Sequence, residues 1–200
     1  VAACTSDHQV FRGAGEGGGR ISDIGWFMVI TSGVIAFVFL TLLAWALLRR
    51  GTKPPWIFEH GFVVAGGIAL PTIVIIALTA FSLSALDERQ QPGAVQVEVV
   101  GHQYWWEVHY PGAGVTTANE FRIPVGRPVE VTLRSDDVIH SFWLPDLDGK
   151  IDMVPGHTNH LTLTAKHAGV YRGQCAEYCG LQHARMAFYV RASPPAEYQR

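Results

Sequence analysis

The segment from Cys175 to Met186 combines the side chains that bind soft metal ions. It contains two of the three cysteines in the sequence, one histidine and one methionine. Thiolate, thioether and imidazole ligands together favour copper over magnesium, calcium or manganese. Cys175 and Cys179 are separated by three residues and can turn both sulfurs toward one point, where His183 and Met186 can add ligands. His140 is the best candidate for a further ligand from elsewhere in the chain.

Two other interpretations apply to the same residues. A disulfide between the two cysteines is plausible in a protein that works outside the cytoplasm. A zinc ion could be held by two cysteines and a histidine, although zinc loops usually space their cysteines more tightly and have little use for a thioether. Met186 taken alone is more typical of core packing. The complete set in one loop favours copper.

The loop is similar to the binuclear CuA copper loop of cytochrome c oxidase subunit II. The family pattern C-x-E-x-C-G-x-x-H-x-x-M is filled at every position from Cys175 to Met186. Asp137–Trp143 resembles the family segment that carries a remote histidine, Gly101–Trp106 its aromatic segment, and Lys150–Gly156 a further loop of the family. The resemblance extends from about Ile24 to Val190 and includes the membrane anchor.

The resemblance implies two copper ions bridged by both cysteine sulfurs. Each copper would also bind one histidine, with a weak axial methionine and a backbone carbonyl completing the site. The implied ligands are His140, Cys175, Glu177, Cys179, His183 and Met186. The carboxylate of Glu177 would then point toward a magnesium ion shared with the catalytic subunit I.

The aromatic trio at 104–106 is where members of the family receive electrons from cytochrome c through an exposed tryptophan. The first position of the trio departs from the usual family residue and is Tyr104 in this chain. The sequence therefore leaves open whether Tyr104, Trp105 or neither receives electrons, because aromatic residues in strands more often belong to a core or an interface. A group of nearby carboxylates either steers a basic cytochrome c or forms a solvated face: Asp136, Asp137, Asp146 and Asp148.

Apolar residues are concentrated in two runs near the start of the chain, at 24–48 and 61–86. Each run is long enough to cross a bilayer as a helix, since about 20 apolar residues suffice. The short connection between them carries Arg49, Arg50 and Lys53, which is typical of the cytoplasmic side. The sequence thus predicts a multi-pass protein of a bacterial inner membrane, with both termini on the periplasmic side. Glu59 is interpreted as an ordinary interfacial carboxylate rather than part of a proton channel.

The first 22 residues are polar and glycine-rich, and they predict a flexible lead-in. Cys4 within them is either a lipidated residue, since Val1–Cys4 resembles the end of a bacterial lipoprotein signal, or an incidental thiol. The predicted organisation is this lead-in at 1–22, a transmembrane helical hairpin at 23–90 and an outer domain at 91–200.

The outer domain shows short segments of alternating apolar and polar residues separated by glycine and proline, which predicts a β-sandwich or Greek-key barrel. The segments begin at Val95, Phe121, Val129, Leu161 and Ala187. The family resemblance makes this a cupredoxin-like fold, with His140 on one inter-strand loop and 175–186 connecting the last two strands.

The function implied by the resemblance is that of subunit II of a haem–copper cytochrome c oxidase. Such a subunit accepts electrons from cytochrome c at its copper pair and passes them to haem in subunit I, where oxygen is reduced to water and protons are pumped. The expected partners are subunit I, subunit III and other oxidase subunits, membrane lipid, and a soluble or fused cytochrome c. Relatives with a fused cytochrome c domain resemble this chain, and such a domain would follow Arg200; haem is expected only there or in subunit I.

Other functions are less consistent with the sequence. The net charge of −2 does not indicate nucleic-acid binding, and no catalytic residue for chemistry within this subunit is predicted. A quinol oxidase subunit should lack the copper ligands, and a copper module like that of nitrous-oxide reductase has no reason to carry two membrane helices. A copper-delivery protein would bind a single copper reversibly.

Overall fold

The computed structural model describes residues 9–49, 60–85 and 93–199. Cys4, Arg50, Lys53 and Glu59 lie outside these residues, so the predictions that concern them are not addressed by the structure. Helix α1 spans Glu16–Leu48. Helix α2 spans His60–Val64 and continues through a π-helical turn at Ala65–Ala69 into helix α3, Leu70–Ala85.

The two helical segments are long and apolar enough to cross a membrane. The described residues of these helices from Ile24 onward belong to a compact unit of their own, in which Phe27 and Phe81 pack edge to face with ring centroids 6.1 Å apart. Large apolar side chains remain exposed all round these helices; Phe37, for example, is 71% exposed. A helix that is hydrophobic on all sides needs an apolar environment, and a bilayer supplies one. The two predicted apolar helices are confirmed, and their length and exposure suit a membrane.

The outer domain is a β-sandwich in which the described residues form ten strands. They are β1 (Val95–His102), β2 (Trp105–Tyr110), β3 (Val115–Ala118), β4 (Glu120–Pro124), β5 (Val129–Ser135), β6 (His140–Trp143), β7 (Lys150–Met153), β8 (Asn159–Leu163), β9 (Gly169–Cys175) and β10 (Ala187–Ser193). One sheet has the order β3-β2-β1-β5-β8 and the other β4-β10-β9-β6-β7. A short helix α4, Pro195–Tyr198, follows. All five predicted strands are confirmed, and the fold is the expected all-β type.

The core between the sheets is built on an aromatic cluster. Phe142 and Phe188 stack with centroids 4.5 Å apart, and Trp106 packs against both rings at 5.9 and 5.1 Å. Gly173 is required beside this cluster, because a Cβ there would lie 2.1 Å from the ring of Phe188. Phe142 lies on β6 and Phe188 on β10. The cluster therefore packs against the sheet that also contains β9 and from which the candidate metal ligands project.

The glycine-rich segment before the first membrane span differs from the predicted flexible lead-in. Within the described residues, α1 begins at Glu16 rather than at Ile24. The described residues from Gln9 to Asp23 group with the β domain, and Ala14 is buried in its core. Gly15 N–H donates to the Asp146 carbonyl at 3.1 Å, and a Cβ on Gly15 would lie 2.1 Å from the carbonyl oxygen of Leu147. The glycines therefore permit close backbone packing, which composition alone cannot distinguish from flexibility.

Candidate metal centre

Sheet pairing brings the remote histidine to the cysteine loop. Strands β6 and β9 pair antiparallel with Phe142 opposite Cys175. His140 is the first residue of β6 and Cys175 the last residue of β9, so both lie at the same end of one sheet. His140 therefore lies at a strand end rather than on the predicted inter-strand loop. The segment 176–186 connects β9 to β10, as predicted.

Four donor atoms form a continuous row across this end of the sandwich. His140 Nδ1 lies 3.8 Å from Cys175 Sγ, and Cys175 Sγ lies 3.8 Å from Cys179 Sγ. Cys179 Sγ lies 3.7 Å from His183 Nδ1. The order is imidazole, thiol, thiol, imidazole.

Two further predicted ligands adjoin the same row. Met186 Sδ lies 3.7 Å from Cys179 Sγ. Cys175 Sγ lies 3.1 Å from the backbone carbonyl oxygen of Glu177. All six residues predicted from the sequence are thus placed together. Cys175 and Cys179 are free thiols, because their sulfur separation is far longer than the roughly 2.05 Å of a disulfide.

Most of the site is buried, and its first histidine is oriented by a carboxylate. The side chains of His140, Cys175, Cys179 and Met186 are all buried. His140 Nε2 lies 2.8 Å from Asp137 Oδ1, which leaves Nδ1 facing the sulfurs. Carboxylate–histidine pairs of this kind fix the ring and its tautomer at metal sites. The sequence did not predict that Asp137 orients His140, although a carboxylate three residues before a candidate histidine ligand indicates such a pair.

Protonation of the two thiols is strongly unequal. Burial raises the pKa of the Cys175 thiol, but hydrogen bonding with His140 and with neighbouring backbone groups outweighs burial and lowers this pKa to about 6. Burial and the adjacent Cys175 sulfur raise the pKa of Cys179 to about 12. Without a metal, Cys175 is therefore the thiol of the pair that loses its proton more readily. A bound cation would displace any remaining proton, because the thiolate is the form that binds metals.

The side chain of Glu177 does not point freely away from the site. Its carboxylate accepts a hydrogen bond from Lys150 Nζ at 2.8 Å, and the same ammonium donates to Asp152 at 3.0 Å. Lys150 and Glu177 are both substantially exposed, so this contact is worth little energy. The predicted magnesium role of Glu177 stays a prediction, and it would require the carboxylate to exchange its Lys150 partner.

The aromatic trio divides between core and surface. Trp106 is buried in the aromatic cluster, whereas Trp105 is 38% exposed and stacks on His102 with centroids 4.7 Å apart. The Tyr104 hydroxyl accepts a hydrogen bond from the Leu181 backbone N–H at 3.1 Å. Tyr104 therefore touches the ligand loop, and Trp105 faces solvent.

The four carboxylates suggested as a docking group do not form one. Asp146 and Asp148 are buried beside the N-terminal segment, and Asp137 is engaged with His140. Among the four, Asp136 alone has a largely exposed side chain, which is 69% exposed. The solvated-face interpretation is also wrong for the two buried residues.

The donor set fits copper. Among the described residues, His140, Cys175 and Cys179 form the one group of histidine, cysteine or acidic side chains whose ligand atoms converge closely enough to hold a metal ion. Two thiols flanked by imidazoles, with a thioether and a carbonyl beside them, match the ligand softness of copper. Zinc would leave the thioether without a function.

Comparisons with known proteins agree on one family. A sequence model of the family described as cytochrome c oxidase subunit II, periplasmic domain, matches residues 113–193. Cytochrome c oxidase subunit 2 of Alkalihalophilus pseudofirmus is 36% identical over 86% of this chain and 53% of the relative. The same subunit of Cereibacter sphaeroides is 29% identical over 84% of this chain and 69% of the relative.

A solved structure has the same fold. The crystal structure of the periplasmic domain of subunit II of cytochrome oxidase of Bradyrhizobium japonicum is 30% identical, with a TM-score of 0.52 over 55% of this chain and 92% of that chain. The chain spans about half the length of the Alkalihalophilus relative. On the filled copper-loop pattern, the sandwich fold and these matches, the chain belongs to the cytochrome c oxidase subunit II family.

Proposed function

We propose that this chain is the copper-bearing subunit II of a haem–copper cytochrome c oxidase. The observation that carries the proposal is the row of donors from the buried His140 and the two buried cysteines to the half-buried His183, with neighbouring donors 3.7–3.8 Å apart. Cys175, Cys179, His140 and His183 would hold two copper ions at this row. Met186 and the Glu177 carbonyl would supply the weaker ligands. When bound, the copper pair supplies reversible one-electron transfer.

The chain keeps these ligands in place by backbone bonds between the elements that carry them. Cys175 N–H donates to the Met186 carbonyl at 2.9 Å, and Ala176 N–H donates to the Ser141 carbonyl at 3.0 Å. Both ends of the ligand loop are therefore attached to the sheet. Ligands held in this way need not move when the charge of a bound metal changes, which favours fast electron transfer.

Electrons would arrive through the exposed aromatic residue. Trp105 presents its ring to solvent, while the Tyr104 hydroxyl lies against the ligand loop. We expect a leucine at Trp105 to slow electron uptake from reduced cytochrome c markedly, whereas phenylalanine at Tyr104 keeps a ring and has the smaller effect. Stopped-flow absorption of the assembled oxidase compares the two. Equal rates for the wild type and the Trp105→Leu variant would exclude Trp105 as the receiving residue.

The membrane topology is supported by packing inside one structural unit. The described part of the segment before Ile24 packs with the β domain, and both apolar helices lie between them in the sequence. Two segments that pack together must lie on the same side of a membrane, so the chain would cross an even number of times. The positively charged connection then faces the cytoplasm, and the copper domain faces the periplasm of a bacterial inner membrane.

The remaining roles follow from the oxidase assignment. Electrons would pass to haem in subunit I, where oxygen reduction is coupled to proton pumping, and Glu177 would contribute to a magnesium site between the subunits. Subunit III and a soluble or fused cytochrome c complete the proposed partners. The complete ligand set argues against a quinol oxidase subunit.

A metal count with electron spin resonance tests the proposal. We expect two copper ions per full-length chain in detergent and one unpaired electron shared by two equivalent copper nuclei. A copper-delivery protein would instead bind one copper with a mononuclear signal. That signal, or binding of zinc without copper, would contradict the oxidase assignment.

A further inference from the structure

We infer that the tip of the β1–β2 hairpin, residues 103 and 104, is a clamp that holds the two ligand-bearing segments at a fixed separation. The inference rests on the proposed function for the identity of the metal, but the clamp itself is defined by contacts of the chain. The tip consists of Gln103 and Tyr104, between the end of β1 and the start of β2. Neither residue is a metal ligand.

Gln103 contacts both ligand-bearing segments. Its backbone N–H donates to Asp137 Oδ2 at 2.6 Å, and the other oxygen of that carboxylate lies 2.8 Å from His140 Nε2. Its side-chain amide donates a short hydrogen bond to the carbonyl of Cys179. Gln103 therefore connects Asp137, the hydrogen-bond partner of His140, with the backbone of Cys179.

Tyr104 provides a second attachment to the same loop. Its hydroxyl accepts the Leu181 N–H at 3.1 Å. The loop fits closely here, because a Cβ on Gly180 would lie 2.5 Å from the Tyr104 hydroxyl and 2.9 Å from the Gln103 amide nitrogen. Gly180 also has a φ of +129°, a backbone angle that residues with a side chain rarely adopt. Glycine at this position of the copper-loop pattern thus admits the hairpin tip.

These contacts matter because the loop has little other cover. Leu181 is 95% exposed and Tyr178 75% exposed, on either side of the buried Cys179. A loop with exposed side chains and few buried contacts opens readily by local fluctuation. Hydrogen bonds from the hairpin tip at Cys179 and Leu181 oppose that opening. Gln103 is accordingly a positioning residue that acts through Cys179 and Asp137.

The test compares Gln103→Ala with Gln96→Ala in the full chain in detergent. Gln96 lies near the other end of β1, and its amide donates to Glu130 at 3.0 Å, so the control removes the same side chain away from the ligand loop. We expect Gln103→Ala to speed hydrogen exchange of the Leu181 amide in the metal-free chain roughly two- to tenfold, the effect of one net hydrogen bond. The copper-loaded variant should also show a changed copper hyperfine pattern. Gln96→Ala should change neither.

Tyr104→Phe gives an independent measurement that preserves the ring. It removes the acceptor of the Leu181 N–H and should speed exchange at that amide even if Gln103→Ala fails to fold. Wild-type exchange at Leu181 in Tyr104→Phe, or an effect of Gln96→Ala as large as that of Gln103→Ala, would overturn the clamp. If the wild-type chain binds no copper pair, the proposed function fails, while exchange in the metal-free chain still decides the clamp.

Discussion

Serine in place of either Cys175 or Cys179 is expected to eliminate the two-copper spin resonance signal and to lower copper affinity more than about 100-fold. Loss of a residue that merely orients a ligand typically costs 10- to 100-fold in metal affinity, and these sulfurs are themselves the central pair of the donor row. A serine hydroxyl is a hard, protonated donor at neutral pH and does not replace a bridging thiolate for copper. Electron uptake from cytochrome c by the assembled oxidase should be lost in parallel.

Cys4→Ser is the matched control for these substitutions, because it removes the third cysteine of the sequence and none of the proposed ligands. It should retain two copper ions per chain. Copper content measured by atomic absorption and oxygen consumption by the assembled complex give the comparison. Full copper occupancy and normal respiration in Cys175→Ser would contradict the proposed site.

Alanine in place of Gly18 is expected to lower the free energy of unfolding of the β domain by about 1–2 kcal/mol. A Cβ there would lie 2.6 Å from the Asp146 carbonyl oxygen, and the Gly18 N–H donates to the Leu147 carbonyl at 2.7 Å. Overpacking of this kind costs about 1–3 kcal/mol. The intrinsic preference of helices for alanine returns only about 0.5–1 kcal/mol.

Gly33→Ala is the control on the same helix, since no atom lies within 4 Å of a Cβ at that position. The melting temperature of the full chain, followed by calorimetry in detergent, should fall by roughly 5–10 °C for Gly18→Ala and should not fall for Gly33→Ala. An unchanged melting temperature for Gly18→Ala would mean that the N-terminal segment is not docked on the β domain. Packing would then no longer tie both ends of the helical hairpin to the same side of the membrane.

The metal loop could be predicted because its chemistry is local. Cys175, Cys179, His183 and Met186 lie within one short segment, and their residue types and spacing are visible without any fold. The membrane helices and five strands were predictable for a similar reason. Apolar length and period-two alternation are properties of consecutive residues.

Other strands carried weaker local patterns. Strand β7 buries only its last residue clearly, and β3 is exposed along most of its length. Alternation cannot mark a strand whose two faces are both largely solvated, and such strands form because their neighbours in the sheet pair with them. For the glycine-rich lead-in, the composition predicted flexibility where the described residues are packed. Its composition is that of a flexible linker, but its missing side chains allow it to pack against Asp146 and Leu147.

By itself the sequence predicted the candidate ligand types, the copper chemistry that they favour, two long apolar helices and the all-β class. Only the tertiary structure decided that Asp137 orients His140, that Lys150 pairs with Glu177, and that Gln103 reaches the Cys179 carbonyl. Gln103 and Cys179 are 76 residues apart in the chain. Contacts across such distances depend on strand order and register, and no pattern of neighbouring residues encodes them.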